Sequence, residues 1–360
     1  MTHILFAGGG TAGHIEPALA VAREWQKKFP DSEITFVGTA SGLETRLVPE
    51  AGFALKSIPK VSFPRRLSPG LATLPFSLLR AIAVSLRLTA SVDVVVGFGG
   101  YVCAPIYLAA VLTRTPIVIH EANATPGLAN RLGARFTRYC AITYPISRGP
   151  LRHAEITGLP LRPDISHSYR TASADWKRAR AQAKEKLGFS SHDPLLFIFG
   201  GSQGSQAINS VIADARGALE ERGINIYHGI GSRNELPVNS PRYQAASYIT
   251  DMAAAYLAAD VVISRSGAVT CSEVNALGRY ALFIPLPIGN GEQERNASTL
   301  IAQNRAELCA QSAFTNQWLV AQIDRLLERS VSAPLAGSDS DLQAATKIVG
   351  VIEKSLSGGR

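Results

Sequence analysis

Cysteine is scarce in this chain: four in 360 residues, at Cys103, Cys140, Cys271 and Cys309, with no C-x-x-C pair among them. Such scattered thiols exclude a zinc cage and a disulfide framework and fit a reducing compartment. Long apolar runs are missing too, since none approaches the roughly 18 residues a membrane-spanning helix needs. The opening MTHILFAGGG passes directly from a strand-like run into a turn, which leaves no basic segment and cleavage site for a secretory leader. Charge is sparse at 18%, against 46% hydrophobic residues, and that composition excludes disordered and collagen-like chains. These absences predict a soluble, intracellular, globular protein, and its length predicts two domains of about 150–200 residues each.

Acid is also missing locally, and this gives the net charge of +8 a location. Residues 1–155 hold 16 Lys and Arg against 9 Asp and Glu, whereas residues 156–360 hold 20 against 19. Residues 51–92 carry Lys56, Lys60, Arg65, Arg66, Arg80 and Arg87 with no acid, and residues 122–154 carry five arginines with none. An anionic partner for the first half is implied: phosphates, a lipid surface or nucleic acid. No helix-turn-helix, RNP, zinc-finger or aromatic-interleaved basic motif supports nucleic acid.

Strand-like runs at His3–Ala7, 34–37, 92–97, 116–120, Leu195–Phe199, Asn225–Gly229, Val261–Ser264 and 281–285 alternate with amphipathic stretches such as 17–28 and 207–222. That alternation predicts an α/β fold with parallel sheets covered on both faces. HILFAGGGTAGHIEPALAVA is echoed about 190 residues later by LLFIFGGSQGSQAINSVIADA, and DVVVGFGGYVCAP by DVVISRSGAVTCSE. Two doubly wound Rossmann-like domains facing across a cleft are expected, one spanning 1–161 and the other 162–341. A final helix, 342–360, is expected to pack back on the N-terminal domain. The polar stretch 162–191 reads as a hinge and surface insertion, and 332–341 as a linker.

Gly8-Gly9-Gly10-Thr11-Ala12-Gly13-His14 satisfies G-x-G-x-x-G between a strand and a helix, a turn whose N–H groups can close on a phosphate. The alternative is a tight turn that binds nothing. A dinucleotide fold is disfavoured, because the second strand runs into Gly38-Thr39-Ala40-Ser41 with no acid for a ribose. His14, at a helix start that disfavours imidazolium, is either a neutral general base or a turn-packing residue. Two further glycine turns, at 97–101 and 200–204, fall where open sheets bind ligands. A fourth turn at 266–270 precedes Glu273, which can take a ribose or complete a T-x-x-E capping box with Thr270. Asp339-Ser340-Asp341 is the sole D-x-D and reads as a solvated helix N-cap rather than a metal–diphosphate site. The stretch 61–88 mixes Phe63, Phe76, Leu79 and other apolar residues with Arg65, Arg66, Arg80 and Arg87. It reads as an interfacial membrane patch, or as a core helix with solvated arginines.

In their joint order, GGGTAGHIEPALA, GFGGYVCAP, HEANATPGLANR, TGLPLR, FGGSQGSQAIN, YITDMAAAYLAADVVISRSGAVTCSE and GNGEQERNA resemble the MurG family, glycosyltransferase family 28 of the GT-B fold. The family transfers N-acetylglucosamine from UDP-N-acetylglucosamine to the C4 hydroxyl of undecaprenyl-diphosphate-N-acetylmuramoyl-pentapeptide (lipid I), with inversion, giving lipid II for peptidoglycan. The resemblance implies His14 as the base and Thr11, Ala12 and Gly13 near the donor sugar. It places Asn123 and Gln293 near the N-acetylglucosamine, Arg162 and Ser202 on the UDP part, and Ile249 at uracil. Ala268, Val269 and Thr270 would lie under the diphosphate, with Glu273 on the ribose. The chain departs from the pattern at Ala12, Ala122 and Glu292, where the family carries Gly, Gln and Gln. The resemblance further implies no obligatory cofactor, with a divalent cation at most assisting. It also implies a peripheral position on the cytoplasmic face of an anionic membrane and partners in the cell-wall and division machinery. Rival readings are a UDP-N-acetylglucosamine 2-epimerase on the same fold, a nicotinamide oxidoreductase and a non-catalytic UDP-sugar-binding subunit.

Overall fold

The structure, a computed structural model, describes residues 1–61, 70–201, 203–287 and 291–358. The chain folds as two units, Met1–Arg162 with Asp341–Arg360, and Pro163–Ser340. Each unit holds one wholly parallel sheet.

In the first unit the strands are β1 (His3–Ala7), β2 (Glu33–Gly38), β3 (Ala54–Ser57), β4 (Val94–Gly97), β5 (Ile117–Glu121), β6 (Cys140–Ile142) and β7 (Glu155–Ile156). They lie in the order β3-β2-β1-β4-β5-β6-β7. The central strands ILFA and VVVG are buried throughout, as expected where helices cover both faces. One layer of core joins Phe6, Phe36, Val94 and Val96 to Ile15, Leu19 and Trp25 of the helix Ala12–Lys28. The C-terminal helix Ala344–Ser357 adds Ile348, Val349, Val351 and Ile352 to the same cluster. Lys28 pairs with Glu353, and Lys354 with Glu155, around its rim.

In the second unit β8 (Leu195–Phe199), β9 (Asn225–Gly229), β10 (Tyr243–Ala246), β11 (Val261–Ser264), β12 (Tyr280–Phe283) and β13 (Ala306–Leu308) lie in the order β10-β9-β8-β11-β12-β13. Both sheets therefore reverse strand order once, between β1 and β4 and between β8 and β11. Open parallel sheets bind ligands outside the carboxyl ends of the strands at such a point.

The expected surface insertion is corrected by its packing. Residues 163–186 form the helices Pro163–Ala172 and Trp176–Lys186, which lie against the helix Met252–Ala258. The buried Lys184 ammonium reaches Asp260 at 2.7 Å and the Asp193 carbonyl at 2.7 Å, tying the segment to the chain that leads into the two central strands, β8 and β11. A charged, alanine-rich helix can serve as cover when its few buried cations find such partners.

The D-x-D reading is corrected as well. Asp341 is only 9% exposed, and its Oδ1 accepts the Leu159 N–H at 3.1 Å. The last helix begins at Ala344 after Gln343, so the carboxylate clasps the returning chain rather than capping a solvated helix.

Candidate active site

The turn after β1 is shaped by approaches that only glycine permits. Gly10 has φ +89°, and a Cβ there would stand 2.7 Å from the Tyr101 ring. Gly100 has φ +86° and approaches the Gly9 carbonyl closely. Two strand ends thus interlock at the switch point, and the helix Ala12–Lys28 leaves from between them. Thr11 is its N-cap but gives no side-chain cap; its hydroxyl lies 3.1 Å from His14 Nδ1 instead. His14 Nδ1 also lies 3.2 Å from the Gly9 carbonyl oxygen, while the ring rests over Gly99 and Gly100. Burial pushes the imidazole's proton affinity down, and the Gly9 carbonyl and Glu44 carboxylate push it up. Burial is the leading cause, so the net shift is downward.

Beneath this turn sits Glu44, 0% exposed, from the short helix Glu44–Glu50. Its Oε2 accepts the Gly10 N–H at 3.2 Å, and Oε1 accepts the Thr39 N–H at 2.9 Å and the Thr39 hydroxyl at 3.1 Å. Tyr101 closes the group, with its hydroxyl 3.2 Å from Thr39 Oγ1.

Beside it, at the end of β5, the Glu121 carboxylate gathers the loop 122–127 and the first turn of the helix Leu128–Gly133. It accepts Asn123 N–H and Nδ2, Gly127 N–H and Asn130 Nδ2, all within 3.2 Å. Burial raises its proton affinity, and these four donors oppose the rise. Asn123 is thereby held in place. Its neighbour His120 is buried, donates Nε2–H to the Gly158 carbonyl at 3.0 Å, and is pushed down to about 4.

In the second unit the turn at 200–204 enters the helix Gln206–Glu221, whose N-cap Ser205 accepts the Ile208 N–H. The following turn, after β11, carries Arg265. Its guanidinium donates to the Ile284 and Pro285 carbonyls, Ser205 Oγ and Gln311 Oε1, at 2.7–3.1 Å. A cation is therefore fixed at the second switch point, beside the N-terminus of the helix Ala268–Ala276. That helix is capped by Gly267, so the capping box expected from Thr270 does not form: the turn is three residues long and Thr270 already lies inside the helix. Ala268 and Glu273 are buried, Val269 and Thr270 are half-buried, and Ile249 is buried beyond the end of β10. Gln293 Oε1 accepts the Leu286 N–H at 2.9 Å. Ser202 lies outside the described residues, and Arg162 is the last residue of the first unit's main segment.

On the same unit as His14, the helix Gly70–Thr89 leaves Phe76 77% and Leu79 64% exposed, with Arg80 and Arg87 also exposed. It packs on the helix Cys103–Thr113, whose Leu112 is 66% exposed and whose next residue is Arg114. Phe63, Arg65 and Arg66 lie outside the described residues. No described helix is long and apolar enough to cross a membrane.

Sequence reasoning missed Glu44, Glu121, Asn130, Tyr101 and Arg265. A signal existed for three of them: an acid amid GTASGLE, an acid opening EANATPG, and an arginine following a buried strand. Nothing local announced that their partners would be backbone N–H and carbonyl groups of distant turns.

Comparison with known proteins agrees over nearly the whole length. Residues 4–142 match the glycosyltransferase family 28 N-terminal domain, and residues 195–349 match its C-terminal domain. The UDP-N-acetylglucosamine–N-acetylmuramyl-(pentapeptide) pyrophosphoryl-undecaprenol N-acetylglucosamine transferase of Frankia casuarinae is 44% identical, covering 99% of this chain and 96% of that one. The enzyme of the same name from Mycobacterium sp. (strain KMS) is 40% identical over 99% of this chain and 97% of its own. The crystal structure of Acinetobacter baumannii MurG superposes with a TM-score of 0.70 at 28% identity, covering 98% of this chain and all of that one. The UDP-GlcNAc 2-epimerase of Neisseria meningitidis, at 13% identity and a TM-score of 0.61, shares the fold alone.

Proposed function

This chain belongs to glycosyltransferase family 28, and from that premise we propose how its residues carry out the family's transfer. The reaction moves N-acetylglucosamine from UDP-N-acetylglucosamine to lipid I, giving lipid II for peptidoglycan. The acceptor's C4 hydroxyl attacks the anomeric carbon as the bond to UDP breaks, and the proton passes to His14 Nε2. Inversion follows from attack opposite the leaving group.

Asymmetry of charge at the two switch points carries the division of labour. The second unit presents the N-terminus of the helix Ala268–Ala276, suited to a diphosphate that gains negative charge as it leaves, and beside it the charge of Arg265, whose terminal N–H groups hold the turn itself. It is assigned UDP: the diphosphate over Ala268, Val269 and Thr270, the ribose at Glu273, uracil at Ile249, and Ser202 on the UDP part; Arg162, of the first unit, is also assigned to UDP. Asn123 and Gln293 are assigned to the N-acetylglucosamine, with Thr11, Ala12 and Gly13 near the same sugar. Departure of UDP is thus assigned to protein groups rather than to a resident cofactor. The first unit holds the acceptor and meets an anionic membrane from its cytoplasmic side through Phe76, Leu79, Leu112, Arg80, Arg87 and Arg114; Phe63, Arg65 and Arg66, outside the described residues, are assigned to the same role from sequence.

The test is UDP release from UDP-N-acetylglucosamine with and without a short-chain lipid I analogue. Acceptor-dependent release is expected. Acceptor-independent epimerisation, or binding of the donor with no transfer, would overturn the reading.

A further inference from the structure

The Gly9–Gly10 peptide is hydrogen-bonded at both ends by side chains. Its N–H donates to Glu44 Oε2 at 3.2 Å, and its carbonyl oxygen stands 3.2 Å from His14 Nδ1. Carboxylate, peptide and imidazole form one chain of hydrogen bonds. Among the described residues, every hydrogen-bond partner of the Glu44 carboxylate is a donor, namely two backbone N–H groups and a hydroxyl, a pattern an acceptor-only carboxylate satisfies. Two oxygens face His14 Nδ1, the Gly9 carbonyl at 3.2 Å and the Thr11 hydroxyl at 3.1 Å; the hydroxyl can donate or accept but the carbonyl can only accept, so a proton on Nδ1 satisfies both and leaves Nε2 as the basic lone pair. Nε2 makes no hydrogen bond to a described residue; it lies over Gly99, where an added Cβ would meet it at 3.4 Å.

We propose that Glu44 is a positioning residue for the transfer: acting through the Gly9–Gly10 peptide, it selects the His14 tautomer whose Nε2 is free to take the acceptor's proton. The inference rests on His14 as the base. Its logic is that of a catalytic triad with a peptide unit inserted between acid and imidazole, since polarising the N–H end of a peptide strengthens its carbonyl as an acceptor. The Gly10 N–H, the donor that a glycine-rich turn would offer a phosphate, is at the same time taken by the chain's own carboxylate. The first turn is therefore a scaffold for a base and is closed to a diphosphate at that donor, while the diphosphate-binding part falls to the second unit.

The decisive measurement is the imidazole 15N spectrum of His14 in the full chain, assigned with His14→Gln. In the wild type the Nδ1–H tautomer is expected to dominate above the pH at which the ring titrates. A dominant Nε2–H tautomer would overturn the proposal without any variant at Glu44. In Glu44→Gln the neutral amide weakens the relay, so the Nε2–H tautomer should rise and kcat should fall about tenfold or more. The KM for UDP-N-acetylglucosamine should stay within about twofold. Thr39→Val, which leaves the Gly10 contact intact, should keep the wild-type tautomer. Unchanged tautomers in a folded Glu44→Gln would sink the relay while leaving His14 as base. Near-normal turnover in His14→Ala would instead sink the base, and the relay's catalytic meaning with it.

Discussion

Both units turn their chains at the same place in the same strand order, yet they put opposite charges there. In the first, the glycine turn closes over a buried carboxylate, Glu44. In the second, the glycines of the corresponding turn crowd Ser205, the Ile230 carbonyl and Asn234, and the neighbouring turn holds a guanidinium, Arg265. A doubled fold thus carries a buried carboxylate at one turn and a half-buried guanidinium beside the other, the contrast on which the proposed division into base and diphosphate site rests. Strand order alone, the same in both apart from the first sheet's extra edge strand β7, could not have told them apart.

The sharpest way to break this contrast is His14→Ala. Turnover should fall about 10²–10⁴-fold, the range for losing a general base, while UDP affinity measured calorimetrically stays unchanged. Loss of UDP binding instead would mean that the two charges do not divide the labour.

A likeness between the units gives the next effect. Each buries one histidine in or beside its central strands, His120 and His228, and burial pushes both down to about 4. Unfolded histidine takes its proton near pH 6.5, whereas these wait until about 4, so the unfolded chain binds more protons throughout that window. Stability should fall as pH drops from 6.5 towards 4, by on the order of 3 kcal/mol per histidine at the lower end. Urea denaturation across that range should show the slope, and His120→Asn or His228→Gln should each flatten it.

Arg265→Lys comes third. It keeps the charge but loses the planar fork that reaches four acceptors, and UDP affinity should weaken about tenfold with little change in the acceptor's KM. The smallest effect is expected at the membrane face. Arg80→Ala should cost about 1 kcal/mol of binding to anionic vesicles and nothing on neutral ones. Equal binding to both would assign the exposed Phe76 and Leu79 a different role.

Much of this was legible in the chain. The eight strand-like runs all correspond to strands, because buried parallel strands leave short continuous apolar runs that polar helices set off. Five further strands, β3, β6, β7, β10 and β13, had no such signal. They are two to four residues long and lie towards sheet edges, where KS, EI or YQAA is as good a loop as a strand. The 162–191 segment misled for a related reason: its helices are polar almost all round, and they form a layer through the few residues they bury, Ile165, Ala172 and Ala183, together with the Lys184–Asp260 pair. Asp341 misled because a buried clasp and a solvated cap look alike in sequence.

The site divided in the same way. Glycine turns, the histidine after the first and the asymmetry of charge were readable, since backbone geometry and composition are local properties. Sequence alone determined that there would be two parallel-sheet domains, a family, and a histidine at the start of the helix after the first glycine turn. Tertiary structure alone decided that Glu44 lies under the Gly9–Gly10 peptide, 34 residues away, and that Arg265 stands at the other turn. The reason is physical. A glycine turn exposes backbone donors that any anion can fill, and whether that anion is a ligand or the protein's own carboxylate depends on which side chain the folded sheet delivers to it.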